Sequence, residues 1–224
     1  MSTEAMKDMM VLVADKNMET AVRTLLSRHE ALGIRPVEAD VFRHPQRDSG
    51  CCNKGVEFFS ALAGRFRKLL LLFDHEGCGR ESERPEEIEA AIERDLSVRG
   101  WSGNASVIVL DPELEIWVWS PSPHVEDCLG WRDADPPLRQ WLVDNGYLRA
   151  GGAKPARPKE AMEEALRLRR IPRSSAIYGQ LAQKVSLHSC ADRAFTKFRD
   201  TLQQWFAVGA GAAPWEGQNG AVLM

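Results

Sequence analysis

The stretch Leu69-Leu70-Leu71-Leu72-Phe73-Asp74-His75-Glu76-Gly77 decides the fold. Five consecutive apolar residues with a turn signal behind them suit a strand covered on both faces, in the centre of a parallel sheet. The acids that follow place chemistry at the exit of that strand. Met9-Met10-Val11-Leu12-Val13-Ala14 is a second run of the same kind, and 106–110 is a third that ends at Asp111-Pro112. Residues 37–42 alternate instead, with Val37, Ala39 and Val41 against Glu38 and Asp40, as an edge strand does.

Helical spacing fills the gaps between these runs. In 20–32 the apolar positions Val22, Leu25, Leu26 and Leu32 share a face, and Gly33 suits a C-cap. Residues 43–53 read as a polar loop, followed by a helix with Phe59, Leu62, Ala63 and Phe66 as its stripe. Pro85 opens a further helix carrying Ile88, Ala91, Ile92 and Leu96 on one side. Strands alternating with helices build parallel sheets through right-handed crossovers. The expectation is a doubly wound α/β domain over 6–148 with a mainly parallel four-stranded sheet. A basic C-terminal helical region over 154–207 follows, with helices at 159–170, 174–185 and 192–206. The Gly/Ala-rich 208–224 reads as a flexible tail.

Composition narrows the class. The chain has 224 residues, 44% hydrophobic and 27% charged, which is ordinary for a globular protein. No run reaches the ~18 apolar residues of a membrane span, and the acidic start is unlike a secretory signal, so a cytoplasmic protein is expected. Five cysteines without a C-x-x-C spacing argue against a disulfide framework or a structural zinc site. Charge is uneven: residues 1–149 hold 18 basic and 26 acidic side chains, whereas 150–224 hold 11 and 6. The basic part either meets phosphate or docks on the acidic part.

Open parallel sheets bind ligands beyond the carboxyl ends of their strands, where helix N-termini also point. Those exits are Asp15-Lys16; then His44, Arg47 and Asp48; then Asp74-His75-Glu76-Gly77; then Asp111-Pro112-Glu113-Leu114-Glu115. Asp74 and Glu76, two apart after a strand, point the same way while the backbone stays extended, and two carboxylates suit a hard divalent cation such as Mg²⁺. Each acid also has a plain reading as a helix cap, Asp111 and Glu113 especially. If 113–119 is helical, Glu113 and Glu115 stand about 200° apart and only one can face an ion. His44 and His75 are candidates for proton relay, and Trp117, Trp119 and Trp131 are either a base-stacking patch or core. The basic stretch Lys154, Arg157, Lys159, Arg167, Arg169, Arg170 and Arg173 is either a backbone-binding or a solvated face.

The hydrophobic strand with an acid near position 15, the strand ending Leu72-Phe73-Asp74-His75-Glu76-Gly77, and Asp111-Pro112-Glu113-Leu114-Glu115-Ile116-Trp117 together resemble the TOPRIM domain. With Arg47-Asp48-Ser49-Gly50-Cys51 and Arg173-Ser174-Ser175-Ala176-Ile177-Tyr178, the chain resembles a TOPRIM-like family of bacterial defence proteins, closest to methylation-associated defence components. The resemblance covers the chain to about Phe206. It implies an Mg²⁺-dependent site, with Mn²⁺ as a substitute, that acts on phosphodiester bonds of DNA or RNA within a multi-component anti-phage system. Asp74 and Glu76 would hold the metal; Asp15, Glu113 and Glu115 would be catalytic; Lys16 and Arg47 would bind phosphate. TOPRIM enzymes carry a glutamate where this chain has Ala14 and Asp15, so Asp15 stands at the general acid/base position. The rival expectation is a non-catalytic subunit that binds nucleic acid or a partner.

Overall fold

A computed structural model describes residues 6–60, 64–120, 122–187 and 190–208. Four strands, β1 Lys7–Val13, β2 Ala39–Arg43, β3 Phe66–Asp74 and β4 Ala105–Leu110, form one all-parallel sheet in the order β2-β1-β3-β4. Leu69 to Phe73 in β3 and Met9 to Val13 in β1 are at most 1% exposed. Each such side chain contributes up to about 1.5–3 kcal/mol of burial. The alternating β2 is an edge, as its pattern predicts.

Helices cover both faces. The chain runs through α1 Lys16–Ser27, α2 His29–Leu32, α3 Arg47–Ser60 and α4 Pro85–Leu96. Beyond β4 come a 3-10 turn Leu114–Trp117, α5 Pro123–Cys128, α6 Leu138–Asp144, α7 Pro158–Leu168, α8 Ser175–Lys184 and α9 Arg193–Phe206. Helix α3 crosses β1 and β3, lies beside α4, and comes so close that a Cβ on Gly55 would sit 3.0 Å from the Leu71 side chain. On the other face α1 packs on α8, and Gly179 leaves room there for Thr20 and Thr24. Helix α9 packs on β4 and α2, so the C-terminal helices share one hydrophobic core with the sheet. Among the described residues, no helix is long and apolar enough to cross a membrane.

Several boundaries differ from the sequence reading for definable reasons. Helix α1 begins at Lys16, not near 20, because Asp15 caps it by accepting from the Met18 amide at 2.9 Å. Helix α3 begins at Arg47, inside the expected loop. Its buried face of Gly50, Cys51, Cys52 and Gly55 carries little hydrophobic signal. Gly50 is obligatory there, since a Cβ would fall 2.0 Å from His44 Nδ1. Phe66 opens β3 and is not part of the preceding helix, while Leu62 and Ala63 lie outside the described residues. Helices α5 and α6 have no counterpart in the sequence reading. Of the expected tail, only Val208 is described.

The outer edge of β4 is closed by side chains. Glu89 and Glu93 of α4 accept the Val109 and Val107 amides, each at 2.8 Å, and Arg193 of α9 donates to the Val109 carbonyl at 2.7 Å. These groups take the place of a fifth strand, which an open edge would otherwise invite.

Candidate metal centre

In the order β2-β1-β3-β4 the chain leaves β1 toward one side and β3 toward the other, so the topological switch lies between their carboxyl ends. Asp15 follows β1 and Asp74 closes β3 at that point. The β3–β4 ladder runs on beyond the strands, with His75 N–H donating to the Leu110 carbonyl (2.8 Å) and Glu76 N–H to the Pro112 carbonyl (3.0 Å). This lays the segment after β4 beside the exit of β3.

Glu113 is extended (φ −163°, ψ 170°), and the 3-10 turn starts only at Leu114. The helical condition that would part Glu113 from Glu115 is therefore not met. Carboxylate oxygens of Asp74, Glu113 and Glu115 all lie within 4.8 Å of one another. Asp74 Oδ1 accepts the Leu114 amide at 2.8 Å, which ties the two exits together. Both glutamates are buried and Asp74 is half-buried.

Cations from the C-terminal helices hold the glutamates. Glu113 accepts from the Lys159 amide (3.0 Å) in the first turn of α7 and from Lys159 Nζ (3.2 Å), so it benefits from the positive end of that helix. Glu115 accepts from Arg173 Nη2 and from the Tyr178 hydroxyl, and Arg173 also pairs with Glu163 at 2.7 Å. Asp48, at the start of α3, accepts the Asp74 amide at 2.9 Å.

This crowding alters the acids. Burial first, and then the charges of Asp48, Glu115, Asp15 and Glu113, push the Asp74 carboxyl well above its ordinary value. Burial and then Glu115 raise Glu113, against the pull of Lys159, and Asp48 is raised mainly by burial. Five neighbouring carboxylates face Lys159, Arg173 and Arg47, and a cation would relieve the repulsion among them when they ionise. The donors are hard oxygens without thiol or imidazole, a set that suits Mg²⁺, Mn²⁺ or Ca²⁺ over zinc. Asp74, Glu113 and Glu115 could hold such an ion.

The residues singled out from sequence divide as follows. Asp15, Arg47, Glu76, Asp74 and Glu115 line one polar cleft of about 300 Å³ together with Asp48, Lys159 and Arg173. Glu76 is exposed on its rim and stands outside the close group of three, which Glu113 completes. Asp15 is both the cap of α1 and a wall of the cleft. Lys16 opens onto an adjoining cleft with Arg43, His44 and Arg47, and shares Glu19 with Arg43. Arg47 borders both clefts in the left-handed region (φ 50°).

His44 accepts the Gln46 amide at Nδ1, and His75 contacts the Glu83 carbonyl and, at 3.4 Å, Asp111. Asp111 therefore faces a histidine and caps no helix. Trp119 and Trp131 are core, and Trp117 packs edge-on to Phe195. Of the basic stretch, Lys159 and Arg173 dock on the acidic part; with Asp48 and Tyr178 they are the site residues missing from the sequence assignment. The sequence signals that touch them are Asp48 at a strand exit, the basic stretch with its charge asymmetry, and the segment from Arg173 to Tyr178 that carries part of the resemblance.

No protein-family model, curated protein or solved structure matches the chain.

Proposed function

We propose that this chain is a Mg²⁺-dependent phosphodiester hydrolase of TOPRIM-like type, serving in a bacterial anti-phage defence system. The defence role rests on the sequence resemblance. The catalytic reading is carried by one observation, the convergence of Asp74, Glu113 and Glu115 within 4.8 Å at the switch point of a doubly wound sheet. Magnesium is favoured over larger ions because its usual sites use few carboxylates and complete the shell with water and phosphate oxygens.

When bound, the ion would polarise a phosphoryl oxygen and lower the pKa of a bound water. The chain's own groups supply the rest. Asp74, Glu113 and Glu115 would hold the ion, with Glu76 on the rim of the same cleft. Asp15 is the candidate to take a proton from the attacking water. Arg47, which borders this cleft and the adjoining one, steadies the phosphate, with Lys16 meeting the neighbouring stretch of substrate in the adjoining cleft.

A second reading has its own support. Lys159 and Arg173 already neutralise Glu113 and Glu115, as they would in a subunit that binds nucleic acid or a partner without turnover. Cleavage assays on methylated and unmethylated DNA and on RNA, with Mg²⁺ or Mn²⁺ and with and without candidate partner proteins, separate the two. Metal-dependent cleavage that disappears in Asp74→Ala and Glu113→Gln supports the hydrolase. Binding of nucleic acid or partner without cleavage, unchanged in those variants, supports the regulatory subunit.

A further inference from the structure

We propose that Lys159 and Arg173 are phosphate-binding residues of this centre, so that the C-terminal helices complete the site. The inference rests on the metal reading above and extends it to the group that meets the substrate.

Two observations support it, and a charge argument joins them. Both cations line the same cleft as Asp15, Asp74 and Glu115, although they come from 46 and 58 residues beyond the glutamates they touch. Both are only partly covered, with side chains 42% and 29% exposed, so their donors reach the cleft as well as the acids. Neither needs its carboxylate partner once an ion is present. A divalent cation on Glu113 and Glu115 would take over the neutralising role and would free Lys159 Nζ and Arg173 Nη2, while Arg173 keeps its bonds to Tyr178 and Glu163. A phosphate oxygen is the natural acceptor for those freed donors.

By contrast, Lys16 and Arg43 converge on Glu19, a carboxylate outside the group of three, at 3.7 and 3.1 Å. They belong to the adjoining cleft, one step removed from the reacting position. Tyr178 and Glu163 hold Arg173 through its Nε and Nη1.

The full chain is titrated calorimetrically, first with Mg²⁺ and then, with Mg²⁺ saturating, with inorganic phosphate. Lys159→Gln and Arg173→Gln are expected to keep or raise Mg²⁺ affinity, because a competing positive charge is gone, and to weaken phosphate binding at least about tenfold. A merely structural role would move both affinities in the same direction. Phosphate affinity within about twofold of wild type in Lys159→Gln, in protein that still takes up Mg²⁺, overturns the proposal. So does a wild type that binds Mg²⁺ but no phosphate. A wild type that binds no Mg²⁺ overturns the metal reading and this proposal together, a separate outcome. Should Arg173→Gln unfold because Glu115 loses its charge partner, the half-exposed Lys159 carries the test.

Discussion

Two groups of buried carboxylates lie in this protein, and they differ in how completely they are satisfied. Glu89 and Glu93 on α4 accept two strand amides and pair with Arg193 and Lys197, so nearly every oxygen has a donor. They close a sheet edge and have no visible need of a ligand. Asp74, Glu113 and Glu115 at the strand exits are held too, but Asp15 and Asp48 crowd the same space and burial raises Asp74 and Glu113. A buried acid does not by itself mark a site; like charges left in excess at a ligand-binding position of the fold do.

The contrast is tested most severely at the sheet edge. Arg193→Ala leaves Glu89 short of a partner and the Val109 carbonyl without its donor, while Lys197 remains. Urea denaturation should show a loss of roughly 2–4 kcal/mol, with Mg²⁺ uptake unchanged. A loss below about 0.5 kcal/mol, the range of ordinary surface substitutions, would reduce the edge network to decoration.

At the strand exits the sign reverses. Asp74→Asn keeps an acceptor for the Leu114 amide and removes a charge that the fold disfavours. The metal-free variant should be more stable than wild type at pH 8, by about 1 kcal/mol. Because the folded Asp74 is raised above its ordinary value of 3.8, its contribution to stability is fully present below that value and declines as pH rises through the folded one. The advantage of the variant should therefore shrink toward acid pH, as melting curves from pH 8 to pH 4 would reveal. A variant less stable than wild type at pH 8 would mean that Asp74 is satisfied like Glu89.

The smallest effect is expected at Arg47. Arg47→Gly relieves a left-handed side-chain residue and should leave stability unchanged or raise it by about 0.5–1 kcal/mol, while weakening phosphate binding. Lowered stability would show that the conformation carries no strain.

Much of the scaffold could be read from sequence because β1, β3 and β4 are covered on both faces and so are written as unbroken apolar runs. Their exits followed directly, which located Asp15, Asp74 and the 111–115 segment. The first half of α3 was hidden because its buried face there is glycine and cysteine, whereas Phe59 marked the second half. Asp74 and Glu76 do not share the close group, because β3 ends at Asp74 and Glu76 continues onto the rim. Glu113 and Glu115 converge because one extended residue precedes the turn, a backbone detail that no periodicity encodes. Lys159 in the first turn of α7 and Arg173 in the segment before α8 reach the site through long-range packing, so the sequence showed them as a basic stretch without their acidic partners.

Calorimetric titration of Mg²⁺ into the wild-type chain and into Asp74→Asn at pH 8 tests the centre most directly. Convergence of the three acids predicts a saturable isotherm in the wild type that the substitution abolishes. A wild type that takes up neither Mg²⁺ nor Mn²⁺, or an isotherm that Asp74→Asn leaves intact, would contradict it.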